Sequence, residues 1–438
     1  RKPVMLFGIG IFLLGSVLCG LAWNMIVLIV FRAVQGIGAG AIQPTAMTIV
    51  GDLYSVAERA RVQGYLSSVW AIAAVLGPTF GGSFSQYLSW RWIFFLNIPV
   101  AGLATWMLLA RFRERDLVRA RHRIDALGAT LLTGGCTLLI LGLLEGGVAW
   151  AWDSPASLAI FGLGAAMLAA FIPVEMRAPE PVLPLWVFRR AIFIGANLGS
   201  LAIGWVMIGY TSFIPDYAQG ALGATAVVSG FVLAALSIGW PLASTFVGKI
   251  YLRIGFRATA LLGGLTGLGG ALLCLRLGVG TSLWYIAAAT FVVGVGLGLM
   301  SAPALVAVQS AVDWDRRGVA TGAIMFSRSI GSAVGAATLG AIANTATAHR
   351  LAHPPAALAG QLPPSADATR VLLGAHVDAG SPVVRFLRQA LADATHNVML
   401  CLVVVALAGA AAVLLLPARP SAEPEDPRTH HPSEGTDT

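Results

Sequence analysis

Residues 31–44, Phe-Arg-Ala-Val-Gln-Gly-Ile-Gly-Ala-Gly-Ala-Ile-Gln-Pro (FRAVQGIGAGAIQP), set an arginine and three alternating glycines inside an apolar run. A short charged segment follows, GDLYSVAERARVQG over 51–64, and then a second apolar run that carries GPTFGG at 77–82. A soluble core has no use for a guanidinium in the middle of such a run. A lipid-embedded pathway does, because an ionisable side chain at that depth must face a partner or a wet cavity.

The whole chain matches that reading. Of its 438 residues 57% are hydrophobic and 11% charged, and the mean hydropathy is +0.80. Apolar runs long enough to cross a hydrocarbon layer of about 30 Å recur throughout. The composition therefore predicts an all-α polytopic membrane protein. A β-barrel would show alternating segments of roughly ten residues instead. Twelve spans are expected, near 4–22, 25–49, 62–84, 91–110, 126–144, 156–174, 191–213, 226–247, 258–276, 283–309, 320–343 and 397–416.

The formal charge of +8 does not indicate nucleic acid, since the basic residues cluster in alternate loops. Most of the 28 Lys and Arg fall in 1–2, 51–61, 111–123, 175–190, 248–257, 312–318 and the tail. The positive-inside rule makes those segments, and the tail, cytoplasmic. The opposite side holds Arg91, Arg276, Arg350, Arg370, Arg385 and Arg388, four of them in one long loop. Arg32 and Arg328 are left inside spans. Cys19, Cys136, Cys274 and Cys401 also fall inside spans, with no metal-ligand spacing, so neither a disulfide framework nor a metal or other cofactor is expected.

An internal repeat sharpens the organisation. An offset of 258 residues carries Gly36, Gly38 and Gly40 onto Gly294, Gly296 and Gly298. It also carries Arg59 onto Arg317, Gly64 onto Gly322, Gly77 onto Gly335 and Gly82 onto Gly340. The expected organisation is a partial N-terminal half (1–110), a basic cytoplasmic loop (111–125), an inserted helix pair (126–174) and a linker (175–190). A six-span C-terminal half (191–416), with an external loop at 344–396, and a disordered tail (417–438) complete it. The span at 4–22 corresponds to the third span of the second half, so two further helices are expected before Arg1. In the external loop, 382–396 has helical periodicity and is expected to lie on the membrane surface.

The candidate pathway residues follow from the cost of burying charge. An unpaired guanidinium at the centre of a span costs at least ~2.5–3.5 kcal/mol. Arg32 sits about 10 Å into its span at 1.5 Å per residue, with Gln35 one turn on. It either faces the pathway or snorkels to the headgroups. Arg328 lies near mid-membrane. Among the acids, Glu145 and Asp216 come nearest to a span interior. Asp52, Arg59 and Arg317 are the candidate loop charges on the cytoplasmic side. Gly36 with Gly40, Gly77 with Gly81, Gly294 with Gly298, and Gly331 with Gly335 are pairs that let helix backbones approach closely in lipid. Pro78 adds a kink, because it frees the carbonyl of Ala74. Trp70, Phe326, Trp205 and Tyr210 lie within spans, where they serve core or lipid packing or line a hydrophobic cavity.

These stretches carry a family resemblance. FRAVQGIGAGAIQP resembles the fourth-helix motif of the major facilitator superfamily, and LGPTFGG the fifth-helix motif of its drug-antiporter members. GDLYSVAERARVQGYLSSVW, LSWRWIFFLNIPV, RIDALGATLL and LLEGGVAWAWDSP resemble the fourteen-helix drug:proton antiporter branch. The resemblance implies a helical bundle of that superfamily, with Arg32 taking part in proton transfer. It implies an antiporter-type helix contact at Gly77, Pro78, Gly81 and Gly82. One departure is Leu252 in GKIYLRIGFR, where an acid is usual. The expected function is proton-coupled export of small amphipathic compounds across the inner membrane, without enzymatic chemistry. An adaptor protein in the periplasm is left open as a partner. The alternatives are a dedicated exporter of one metabolite, antibiotic or siderophore, and a membrane sensor or scaffold that transports nothing.

Overall fold

The computed structural model describes residues 1–54, 87–112, 125–146, 150–179, 181–183, 185–355, 361–363, 371–372 and 381–418. It also describes Leu358 and scattered positions between 58 and 84. Eleven helices organise these residues: α1 (Lys2–Gly20), α2 (Met25–Leu53), α3 (Asn97–Arg111), α4 (Ala126–Glu145), α5 (Pro155–Arg177), α6 (Ala191–Gly220), α7 (Ala226–Ile254), α8 (Phe256–Cys274), α9 (Leu283–Ser310), α10 (Arg317–Ala352) and α11 (Pro382–Ala412). The expected span 62–84 falls mostly outside the described residues, as do 113–124 of the basic loop and the tail beyond 418.

Local chemistry sets the helix starts. Asn24, Asp125, Ser154 and Thr225 each cap a first turn, accepting from the backbone N–H three residues on at 2.8, 2.9, 3.2 and 3.3 Å. Gly255, at φ 89°, separates α7 from α8 in a backbone state open to few residues but glycine. With the short turn before α3 included, ten segments are long and apolar enough to cross a membrane. The chain is therefore a multi-pass membrane protein. α10 stands outside that set because Thr321, Ser327, Arg328, Ser329 and Ser332 dilute its apolar surface.

The C-terminal half wraps around α9, whose central stretch is the most buried of the ten. α9 packs on α7 and α8, α10 on α6, and α11 on α6, α8 and α10. In the N-terminal part α1 packs on α2 and α3, while α4 and α5 form a hairpin that touches α10. Helix backbones meet at glycines. A Cβ on Gly38 would strike the backbone of Phe12, and one on Gly296 would strike that of Gly267. These two residues are repeat partners, and the α1–α2 and α8–α9 crossings are built alike. Gly294 and Gly298 press on the Leu236 and Trp240 carbonyls, and Gly331 and Gly335 press on Leu201 and Trp205.

Two expectations need correction. Gly36 and Gly40 meet no atom of the described residues within 4 Å of an added Cβ, nor does Gly77, whose pair partner Gly81 lies outside those residues; the α1–α2 contact runs through Gly38 with Gly8 and Gly15. The expected loop 344–396 is also too long. α10 continues through 344–352, and 382–396 is the first half of α11, not a separate surface-lying segment. The cause is register: Val384, Leu387, Ala390 and Ala394 stay on the face that buries Val398 and Leu402 further along. An Arg350–Asp393 ion pair at 3.5 Å ties the two extensions together.

These contacts predict an asymmetric response to bulk within α10. Gly331→Val forces a side chain into the Leu201 backbone, and overpacking of this kind costs about 1–3 kcal/mol. Gly322→Val points into open space. Thermal unfolding of the purified protein should show a clear drop in midpoint for the first variant and almost none for the second.

Candidate functional site

Arg32 and Gln35 meet as the one-turn spacing suggests. Arg32 Nη1 donates to Gln35 Oε1 at 3.4 Å, and Gln35 Nε2 donates to Ser16 Oγ at 3.1 Å. Asn97 Nδ2 donates to the same Ser16 oxygen at 2.7 Å, and the Ser16 hydroxyl donates to the Phe94 carbonyl at 3.0 Å. A hydroxyl has one proton and two lone pairs, so Ser16 is fully used. The hub is inaccessible and Gln35 is 6% exposed, whereas Arg32 itself is exposed and lies over the Phe94 ring at 5.3 Å. Gly15 makes the hub possible, because a Cβ there would lie 2.6 Å from Gln35 Cα. Sequence reasoning missed Ser16, Asn97 and Phe94. The available signal was three polar or aromatic residues bracketing the arginine's depth on neighbouring spans.

Arg328 sits eleven residues into α10, about 16 Å from its start. Its carbonyl is where a Cβ on Gly204 would strike, and its guanidinium lies 5.7 Å from the centre of the Trp240 ring. The side chain is half-buried, and Nε is buried with no acceptor among the described residues. Close by, the Ser327 hydroxyl donates to Asn197 Oδ1 at 2.9 Å and the Ser332 hydroxyl to the Gly204 carbonyl at 3.0 Å. Phe326 and Trp205 are half-buried, Trp205 against Gly335. Of the two roles open to Tyr210 it takes core packing: it is fully buried in the packed core. Trp70, Arg59, Pro78, Gly81 and Gly82 lie outside the described residues.

Glu145 ends α4, and Asp216 sits in the last turns of α6, just after Pro215. Both are half-buried, and neither is brought to Arg32 or Arg328.

On the side of the basic loops the two halves are stitched together. Arg1 Nε pairs with Asp52 at 3.2 Å, and Arg1 Nη2 donates to the Trp314 carbonyl at 3.2 Å, the guanidinium lying 5.0 Å from the Trp314 ring centre. Arg317 Nη1 donates to the Gly51 carbonyl at 2.9 Å. Gln309 Nε2 donates to the Met47 carbonyl at 3.3 Å and to Thr321 Oγ1 at 3.0 Å. Asp52 and Arg317 thus belong to one latch between the C-terminal end of α2 and the α9–α10 turn. Arg316 over Trp186, at 5.9 Å, adds the linker before α6 to the same side.

This arrangement agrees with the comparisons to known proteins. The sequence model of the Major Facilitator Superfamily matches residues 1–336. The chain belongs to that superfamily. It is 34% identical over 351 residues to the multidrug transporter protein MdtP of Bacillus subtilis (strain 168), covering 80% of this chain and 65% of that protein. Multidrug resistance protein 3 of the same organism is 31% identical over 351 residues, covering 80% of this chain and 68% of that one. The uncharacterized MFS-type transporter Rv1877 of Mycobacterium tuberculosis (strain ATCC 25618 / H37Rv) is 32% identical over 418 residues, or 95% and 60% of the two chains. The chain thus spans about two thirds of the length of the curated relatives it matches.

The latch is predicted to hold the basic-loop side shut. Thr48, one turn before Asp52, is 2% exposed. In a Thr48→Cys background, Asp52→Asn should raise the rate of maleimide labelling several-fold, and Arg317→Ala should do the same. Unchanged labelling in both would show that the halves are held by other contacts.

Proposed function

We propose that this protein is a secondary transporter that exports small amphipathic compounds in exchange for protons. It would work by rocking of an N-terminal and a C-terminal helical half about a site near the midplane. Membership of the superfamily supports transport of small substrates, not enzymatic chemistry, and two relatives are named for multidrug transport or resistance. The chain's own residues support the mechanism. We read α4–α5 as a pair inserted between halves, in the manner of the fourteen-helix branch.

The observation that carries the reading is the anchorage of Arg32. Three helices hold Gln35 through Ser16 and Asn97, and Gln35 in turn orients an exposed guanidinium at a depth where charge is costly. A guanidinium stays protonated at any working pH, so its part in proton transfer is to lower the pKa of an acid that comes near it and to balance that acid's charge. The latch supports rocking, because one ion pair and a few side-chain-to-carbonyl bonds are contacts that can open and re-form. Glu145 and Asp216 are the acids of this chain nearest a span interior, and a coupling role for either would require it to approach Arg32, which neither meets here.

The test is dye efflux from inverted vesicles driven by a pH gradient. Arg32→Ala should abolish it at normal expression, while Gln35→Ala should lower it, by up to the roughly hundredfold that an ångström of misplacement can cost. Efflux at the wild-type rate in Arg32→Ala would sink the assignment.

A second reading is favoured by another relative, an acurin A biosynthesis cluster MFS-type transporter of Aspergillus aculeatus, 35% identical over 243 residues. In that reading the protein exports one natural product. Susceptibility profiling of an overexpressing strain separates the two: resistance to several unrelated compounds supports the multidrug reading, and resistance to one supports the other.

A further inference from the structure

Arg328 is a fixed cation in the middle of the C-terminal half, and no described residue neutralises it. Among the described residues no carboxylate comes within ion-pair distance and no acceptor meets Nε. The sequence explains why. Asp216 is the acid of α6, the helix packed against Arg328, but it lies twelve residues beyond Gly204, about 18 Å further along the axis. Glu145 closes α4 at its far end. On α7, which supplies Trp240, there is no Asp or Glu, and there is none on α8, α9 or α10. Residues 59–86 likewise contain no acid.

An arginine at this depth is retained only if something else makes use of its charge. The surroundings show what fits. One face of the guanidinium rests on the Trp240 ring, which stabilises the cation without consuming a single N–H donor. The residue as a whole is half-buried, while Nε itself is inaccessible. A planar fork that meets no acceptor among the described residues is matched to a carboxylate or a sulfonate, which takes two parallel hydrogen bonds. The neighbouring aromatic surface suits an apolar body attached to that group.

We infer that Arg328, backed by Trp240, binds the acidic group of an amphipathic anion, so that this transporter accepts substrates carrying a carboxylate or sulfonate on an aromatic or aliphatic body. The inference rests on the reading of the protein as an exporter of amphipathic compounds and names a class among them. In transport terms the ligand supplies the countercharge that the chain lacks, and Arg328 costs least when the site is occupied.

Two fluorescent probes on one scaffold test it: 1-anilinonaphthalene-8-sulfonate, which is anionic, and N-phenyl-1-naphthylamine, which is uncharged. Binding is titrated on the purified full chain, reading probe emission and energy transfer from tryptophan. The wild type should bind both. Arg328→Gln should weaken the sulfonate at least tenfold and leave the uncharged probe within twofold, with Arg328→Lys intermediate. Arg350→Gln, an exposed arginine paired with Asp393, should change neither. A second arm needs no variant at this position: on the wild type, 9-anthracenecarboxylate should displace the sulfonate probe and its methyl ester should not. Equal displacement by acid and ester overturns the inference, as does a sulfonate affinity unchanged in Arg328→Gln, the result expected if a carboxylate from elsewhere pairs with this arginine. In either case intact binding of the uncharged probe leaves the exporter reading standing. Failure of both probes to bind the wild type removes that reading and the inference with it.

Discussion

Helices in lipid gain nothing by hiding apolar surface from one another, because the hydrocarbon around them is as apolar as leucine. What holds this bundle together is close backbone approach, and close approach needs positions without a Cβ. Gly38 against Phe12, Gly296 against Gly267, Gly294 against Leu236, Gly331 against Leu201 and Gly204 against Arg328 are the points where one backbone touches the next. These contacts set the register in which polar side chains meet. Gly15 brings Gln35 close enough to reach Ser16, and Gly204 presents the carbonyl that takes the Ser332 hydroxyl.

The polar groups are placed economically on that frame. The Arg32 end of the molecule spends its hydrogen bonds on rigidity: Ser16 of α1 satisfies two donors, from α2 and α3, and one acceptor in the turn before α3. The Arg328 end does the opposite, leaving a guanidinium on an aromatic ring with no acceptor for Nε among the described residues. The two arginines lie inside spans for different physical reasons, one as the tip of a braced network and one as an unbalanced charge. The latch near Asp52 and Arg317 is a third kind of polar contact. It joins elements that belong to different halves through main-chain carbonyls: Trp314 accepts from Arg1, Gly51 in the last turn of α2 accepts from Arg317, and Met47 accepts from Gln309.

Some of this was legible in the residues alone. Hydropathy and the basic loops are one-dimensional signals, so helix number, the placement of Arg32 and Arg328 inside spans and the motif-bearing stretches could be read directly. The repeat offset correctly paired Gly38 with Gly296 as equivalent crossings. The same reasoning misassigned Gly36 and Gly40, because which face of a glycine-rich helix meets a neighbour depends on where that neighbour runs. It also ended α10 too early and broke α11, because a helix continues for as long as its register is supported, and polarity alone does not stop it.

By itself, then, the sequence determined that the chain spans the membrane many times and that Arg32 and Arg328 lie inside helical apolar runs. Those follow from transfer free energies of individual residues. Only the tertiary structure decided that Ser16 and Asn97 brace Gln35, that Tyr210 is core and no part of a cavity, that Arg1 and Arg317 cross to the other half, and that Trp240 is what Arg328 rests on. Each of those depends on helix rotation and crossing, which short-range pattern does not encode and glycine contacts between distant segments do.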